Sequence, residues 1–331
     1  MQKLALLLLV AFASGLNAQQ VPDSAFTFPN PDPAFSRSTG PQVCIDAAHY
    51  NFHTLDGRYF AFAKLLRGDG FRTVSVSQPI DESVLADCAV LVIANALAAE
   101  NAVVEGDPER TRAAWAFPHP PAFSREEMGI LPKWINEGGS LLLIMDHAPF
   151  PGATSDLASL LGVVPLNGRA TYRVFGEHDD RAIQEAAGPL DLTPERLREA
   201  LGSPGTLGDH PILRGREGVD EPVKSIMTFG GSAFFPSARV QPLLTVPDGA
   251  FGLISSTELP RDLWPRYPMD GWLAGGALDV GEGHVVILGE AAMCTAQLAG
   301  PDRRPMGMNN PLSVDNPRFC LNVVRWLSGV I

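Results

Sequence analysis

Residues 43–53, Val43-Cys-Ile-Asp-Ala-Ala-His-Tyr-Asn-Phe-His53, decide how this chain is read. A short apolar strand runs directly into an acid and two histidines. Residues 141–151, Leu141-Leu-Leu-Ile-Met-Asp-His-Ala-Pro-Phe-Pro151, repeat the device and deliver Asp146-His147. Strands covered on both faces of a parallel sheet read as continuous apolar runs, and ligands of open α/β sheets sit beyond the strands' carboxyl ends. Two strands with Asp and His at their tips mark the edge where a polar site is expected.

Outward from these stretches, strand and helix signals alternate. Strand 42–47 precedes a helix near 56–67, with Tyr59, Phe60, Phe62, Leu65 and Leu66 at helical spacing and Gly68-Asp-Gly70 closing it. Strand 71–77, a short helix near 81–86 and strand 89–95 follow. Ser124, with Glu126 and Glu127 behind it, opens a helix that Gly138-Gly139 ends. Strand 140–145 then delivers Asp146, and another helix begins at 156–161. Such alternation implies parallel strands joined by right-handed crossovers. The expected fold is α/β, a flavodoxin-like parallel sheet of order 2-1-3-4-5 flanked by helices, in which Asp46, Asn95 and Asp146 line one crevice.

The second half is embellished. Residues 167–222 are charged, Gly- and Pro-rich and helical around 194–201, and read as an insertion or lid. Short strands resume at 225–229, 242–246, 251–255 and 283–288, and an amphipathic helix over 316–327 closes a single domain spanning 41–331. Residues 19–40, rich in Pro, Ser and Asn, read as an extended lead-in.

With 331 residues, 45% of them hydrophobic, the chain has ample material for a core. Its net charge of −12 and lack of any basic run disfavour nucleic acid and anionic membranes, both of which recruit clustered cations. Residues 1–18 have the pattern of a signal peptide: Lys3, an apolar run from Leu4 to Ala13, and Leu16-Asn-Ala18 as the cleavage site. No later stretch is a membrane span. The expectation is an exported protein, periplasmic or secreted. Of the cysteines, Cys44 and Cys88 are expected as buried free thiols, whereas Cys294 and Cys320 are the better candidates for a disulfide.

The candidate site collects residues at the strand tips. Asp46, His49 and Asp146 have the chemistry of a divalent-metal or acid–base site, and His147 and Glu290 are candidate bases. Glu290 ends the apolar run 285–288, where a neighbouring carboxylate would raise its pKa. Asn51, His53, Asn95, Asn309 and Asn310 are candidate ligand contacts. The plainer reading is that the carboxylates cap turns and the histidines bond backbone groups.

In order along the chain, 45–51 (Ile-Asp-Ala-Ala-His-Tyr-Asn), 89–94, 134–144 (Trp-Ile-Asn-Glu-Gly-Gly-Ser-Leu-Leu-Leu-Ile), 146–152, 210–212, 283–290 (Gly-His-Val-Val-Ile-Leu-Gly-Glu) and 316–329 resemble the class I glutamine amidotransferase-like superfamily. The resemblance is to an exported bacterial branch near the ThuA-like and gliding-motility-associated domains. Amidotransferases of that superfamily carry a nucleophilic cysteine after the strand that here ends at Met145; this chain has Asp146 there. A carboxylate cannot do thiolate chemistry, and no Gly-x-Ser-x-Gly supplies a serine instead. The resemblance thus implies the fold without glutaminase chemistry. Two functions remain open: a crevice that binds or hydrolyses a polar small molecule or glycan, or a non-catalytic module in an envelope assembly with a protein partner.

Overall fold

In the computed structural model, residues 20–102, 118–254, 256 and 259–331 are described, so the signal-peptide expectation for 1–18 lies outside them. Ten strands form the central sheet: β1 (Gln42–Asp46), β2 (Arg72–Val76), β3 (Val90–Ala94), β4 (Ser140–Ile144), β5 (Val163–Pro165), β6 (Thr206–Leu207), β7 (Phe234–Pro236), β8 (Gln241–Thr245), β9 (Leu273–Val280) and β10 (Gly283–Leu288). Their order is β2-β1-β3-β4-β10-β9-β7-β5, with β8 pairing β9 and β6. The first five neighbours are parallel, which gives the flavodoxin-like order read from the sequence. Beyond β10 the sheet continues antiparallel. Strands β5, β6, β7 and β9 were absent from the sequence reading. β9, Leu-Ala-Gly-Gly-Ala-Leu-Asp-Val, is rich in the small residues that signal turns. Its Gly275 and Gly276 have a tertiary reason: added Cβ atoms would meet Leu244 at 3.0 Å and Val240 at 2.5 Å.

Period-two alternation divides the parallel strands between two cores. Val43, Ile45, Val90, Val92, Leu142 and Ile144 face helices α1 (Phe60–Gly68) and α5 (Asn316–Leu327). Cys44, Leu91, Ile93, Leu141 and Leu143 face Leu131 and Ile135 of α2 (Arg125–Asn136). Both faces are covered, as the apolar runs require. The Ser124 capping box begins α2. Helix α4 (Pro194–Leu201) lies where expected; α3 (Asp180–Ala187), capped by Asp179, is an addition to the reading of 167–222.

The lead-in is attached to the domain. Gln20–Pro22 pairs antiparallel with Ala296–Ala299, and Asp69 accepts hydrogen bonds from Asn30 Nδ2 at 2.7 Å and the Ala34 N–H at 2.8 Å. Fully buried Asp69 also takes the Arg325 fork, from Nε at 2.8 Å and Nη2 at 2.6 Å. Arg325 Nη1 reaches Asp220 at 3.0 Å, so one buried cation ties α5 to two separate segments.

Cys294 and Cys320 form the expected disulfide. The expectation of free thiols at Cys44 and Cys88 is corrected, because they form a second one. Cys44 lies within β1 and Cys88 just before the adjacent parallel strand β3, which brings their Cα atoms to 5.7 Å, within disulfide range.

Candidate functional site

The strand order brings the ends of β1, β3, β4 and β10 to one edge, so Asp46, Asn95, Asp146 and Glu290 follow one another along it. Two separate polar clusters result, and they differ in kind.

The first closes the gap between β1 and β3, where the sheet's winding reverses. Asp46 is fully buried and accepts the Ala48 N–H at 3.0 Å and Asn51 Nδ2 at 3.0 Å. His49 donates from Nδ1 to Asp46 at 2.9 Å and from Nε2 to Glu127 Oε1 at 2.8 Å. A carboxylate oxygen within hydrogen-bond distance of each ring nitrogen favours the form in which both nitrogens donate, the imidazolium. Burial opposes that charge, but Asp46 and then Glu127 outweigh it and raise the His49 pKa. Burial would raise Glu127, yet the N–H groups of Ser124 and Ile80, together with His49, hold it below the ordinary range. The same carboxylate thus caps α2, anchors Ile80 and clamps His49.

Both ring nitrogens of His49 are engaged by carboxylates, Asp46 on Nδ1 and Glu127 on Nε2. Asp146 belongs to the second cluster, so the expected set Asp46, His49 and Asp146 is not assembled. Among the described residues no three His, Cys, Asp or Glu side chains are grouped to hold a metal ion. Asn51 donates to Asp46 and to the Ala94 carbonyl, the latter at 3.4 Å, which fills the crevice from within.

The second cluster lies at the tips of β4 and β10. Glu290, 1% exposed, accepts the N–H groups of Phe229, Gly230 and Gly231 on Oε2 at 3.1, 3.0 and 2.7 Å, and that of Ala292 on Oε1 at 3.0 Å. Burial and the nearby Asp146 carboxylate push its pKa up to about 8, against the pull of those N–H groups. Asp146 accepts the His147 N–H at 2.7 Å and the Ala291 N–H at 3.2 Å. Its own N–H donates to Asn95 Oδ1 at 2.9 Å. Asn95 adopts a left-handed backbone, with φ of 55°, a conformation Asn tolerates better than most residues. Its Nδ2 donates to His53 Nδ1 at 3.2 Å. His53 is therefore neutral; burial, Arg58 and His147 lower its pKa well below the ordinary value.

His147 is the partly exposed member of this cluster. Its Nδ1 donates to the Ala148 carbonyl at 2.7 Å, which makes Nε2 the basic nitrogen of the neutral ring. Burial and Arg169 lower its pKa while Asp146 opposes them. Tyr59 and Tyr172 are buried beside the carboxylates; burial first, then Asp146 and Glu290, raise both phenols well above their ordinary value.

Asn309 and Asn310 are not part of either cluster. Asn309 Nδ2 donates to Asp23 and to the Gln297 carbonyl, which ties the lead-in to this loop, whereas Asn310 bridges Pro305 and Leu312 and stabilises a local turn. The sequence reading missed Glu127 as a partner of His49, along with Tyr59, Tyr172, Arg169 and Arg173. Glu127 was visible only as the third residue of a capping box. The others sit in a helix stripe or in the irregular 167–222 segment, and no spacing rule points from them to β10.

No family model matches this chain, and neither does any curated protein. Among solved structures it is similar to the N-terminal domain of mmIFT52, at 15% identity and a TM-score of 0.53, covering 86% of this chain and 97% of that one. Similar structures also include a cytoplasmic protein of Salmonella typhimurium LT2 (12% identity, 87% and 99% covered, TM-score 0.45) and a ThuA-like protein of Bacteroides uniformis (11%, 91% and 94%, TM-score 0.39). At these identities the likeness is one of fold.

Proposed function

We propose that this chain is an exported module that binds a polar small molecule or glycan over the tips of β4 and β10, with His147 meeting the ligand. The carrying observation is the contrast between the two clusters. The Asp46–His49–Glu127 cluster is internally satisfied and holds the scaffold. In the Asp146–Glu290 cluster, His147 is the partly exposed residue, next in the chain to buried Asp146, whose carboxylate accepts its backbone N–H. The two disulfides support placement in an oxidising compartment, periplasmic or extracellular.

A second reading, non-thiol hydrolysis, is favoured by one observation. The His147 ring is fixed by its Nδ1 donation, with Nε2 as its basic nitrogen and burial keeping the ring neutral. That is the arrangement of a general base. Asp146 positions it through the His147 backbone N–H.

The test is a thermal-shift and calorimetric screen of neutral, acidic and basic mono- and oligosaccharides and amino acids against the wild type and His147→Ala. Support is a ligand that raises the wild-type melting temperature and binds His147→Ala at least about tenfold more weakly, a loss of the size expected for one hydrogen bond. Binding equally tight to both proteins, or no ligand at all, overturns the proposal. Release of product from a bound ligand by wild type and not by His147→Ala selects the hydrolytic reading.

A further inference from the structure

Near the Glu290 cluster the chain concentrates cations that the overall charge of −12 gives no reason to expect. Arg169 lies in the short strand Arg169–Ala170, paired with Phe251–Leu253, and Arg173 follows four residues later. The backbone carrying them is stitched to the loop that Glu290 holds. The Ala170 N–H donates to Gly231 O at 2.8 Å, and the Thr228 N–H and Oγ1 both donate to Arg173 O, at 2.7 and 2.9 Å.

Both guanidinium groups come together over Gly230. A Cβ built there would lie 2.8 Å from Arg169 Nη1 and 3.7 Å from Arg173 Nη1, so both side chains end against this glycine, whose φ of 118° is left-handed. Arg173 uses Nη1 on the Tyr172 carbonyl at 3.0 Å, which orients its fork. Arg169 acts electrostatically on His147, and Arg58, stacked 3.7 Å over the Phe52 ring, acts on His53. Of these, Arg169 both reaches Gly230 and is close enough to His147 to act on its charge.

We infer that the ligand carries an oxyanion group, carboxylate or phosphate, which Arg169 and Arg173 receive beside His147. This rests on the proposed binding site and specifies the ligand's chemical class. Arginine's planar fork matches a planar carboxylate or a phosphate face with two parallel hydrogen bonds. A fixed backbone under both forks removes much of the ordering cost that would otherwise weaken such a contact. Glu290 is turned away from this role, since its oxygens already accept four backbone N–H groups.

The test uses the full chain with simple anions. Inorganic phosphate and acetate are titrated against chloride at matched ionic strength, by thermal shift and calorimetry, for wild type, Arg169→Gln, Arg173→Gln and Arg173→Lys. The expected result is a dose-dependent rise in the wild-type melting temperature that chloride does not give. Either Gln variant should bind at least about fivefold more weakly, and Arg173→Lys should recover part of the loss, since it keeps the charge without the fork. A larger response to phosphate assigns a phosphorylated ligand; a larger response to acetate assigns a carboxylate. No anion effect on wild type, or Gln variants that bind like wild type, overturns the inference. If a neutral saccharide still binds through His147 in that event, only the oxyanion assignment falls. If nothing binds, the proposed function falls with it.

Discussion

Asp146 and Glu290 grip successive links of one turn: Asp146 accepts the Ala291 N–H at 3.2 Å, and Glu290 accepts the Ala292 N–H at 3.0 Å. Two carboxylates at the tips of adjacent parallel strands therefore hold the same backbone, and each must tolerate the other's charge. Glu290 yields, with its pKa raised from 4.5 to about 8 by burial and by Asp146.

This relationship sets a pH dependence. An acid whose pKa is higher in the folded state binds more protons folded than unfolded, so its contribution to stability falls as pH rises between the two values. For Glu290 that window runs from about 4.5 to about 8. Glu290→Gln keeps a neutral acceptor for the 229–231 loop but turns an amide towards Ala292. It should cost about 1–2 kcal/mol near pH 5, and the gap to wild type should narrow towards pH 9. Urea denaturation across that range measures it; a gap that widens with pH contradicts the assignment.

His49 gives a second pH signature. Its folded pKa is raised by Asp46 and Glu127, so the stability it adds is complete below about 6.5 and is lost as pH climbs through the raised value. Removing the imidazole leaves two buried carboxylates uncompensated. His49→Ala should lose about 3 kcal/mol at pH 6, and less at pH 9. Equal losses at both pH values would show that the ring is neutral in the folded protein.

Arg325 offers a test free of titration. It is 1% exposed and neutralises Asp69 and Asp220 at once. Arg325→Met should destabilise by about 3–5 kcal/mol and loosen the lead-in that Asp69 also holds through Asn30 and Ala34. Limited proteolysis should then cleave within residues 23–40 sooner than in wild type.

The disulfides bridge sequence separations of 44 and 26 residues. On the loop-entropy account each stabilises by about 3–4 kcal/mol. Thiol titration of the denatured, unreduced protein should find no free cysteine. Cys44→Ala/Cys88→Ala should lower the urea midpoint in oxidising buffer and match wild type more closely once both are reduced.

Much of this was legible beforehand because parallel strands announce themselves. β1, β3, β4 and β10 are unbroken apolar runs, and the acids at their tips could be numbered from the sequence. The Ser124 cap and helix α5 were likewise local patterns. β9 escaped because it relies on Gly275 and Gly276 to admit Leu244 and Val240, and small residues in a strand look like turns. The pairing of Cys44 with Cys88 escaped because thiol distance depends on strand register.

The sequence by itself determined which residues stand at the carboxyl edge, since strand order and apolar pattern are consequences of burial on both sheet faces. Only the tertiary structure decided what each residue does there. Asp46 and His49 look like the better site on paper, yet Glu127, 78 residues beyond His49, reaches across and closes that cluster. Asp146 and His147 acquire their surroundings from Glu290 and Arg169, which lie far from them along the chain or outside any regular pattern. Charge and hydrogen bonding act over a few ångströms of space, and no spacing along the chain encodes those distances.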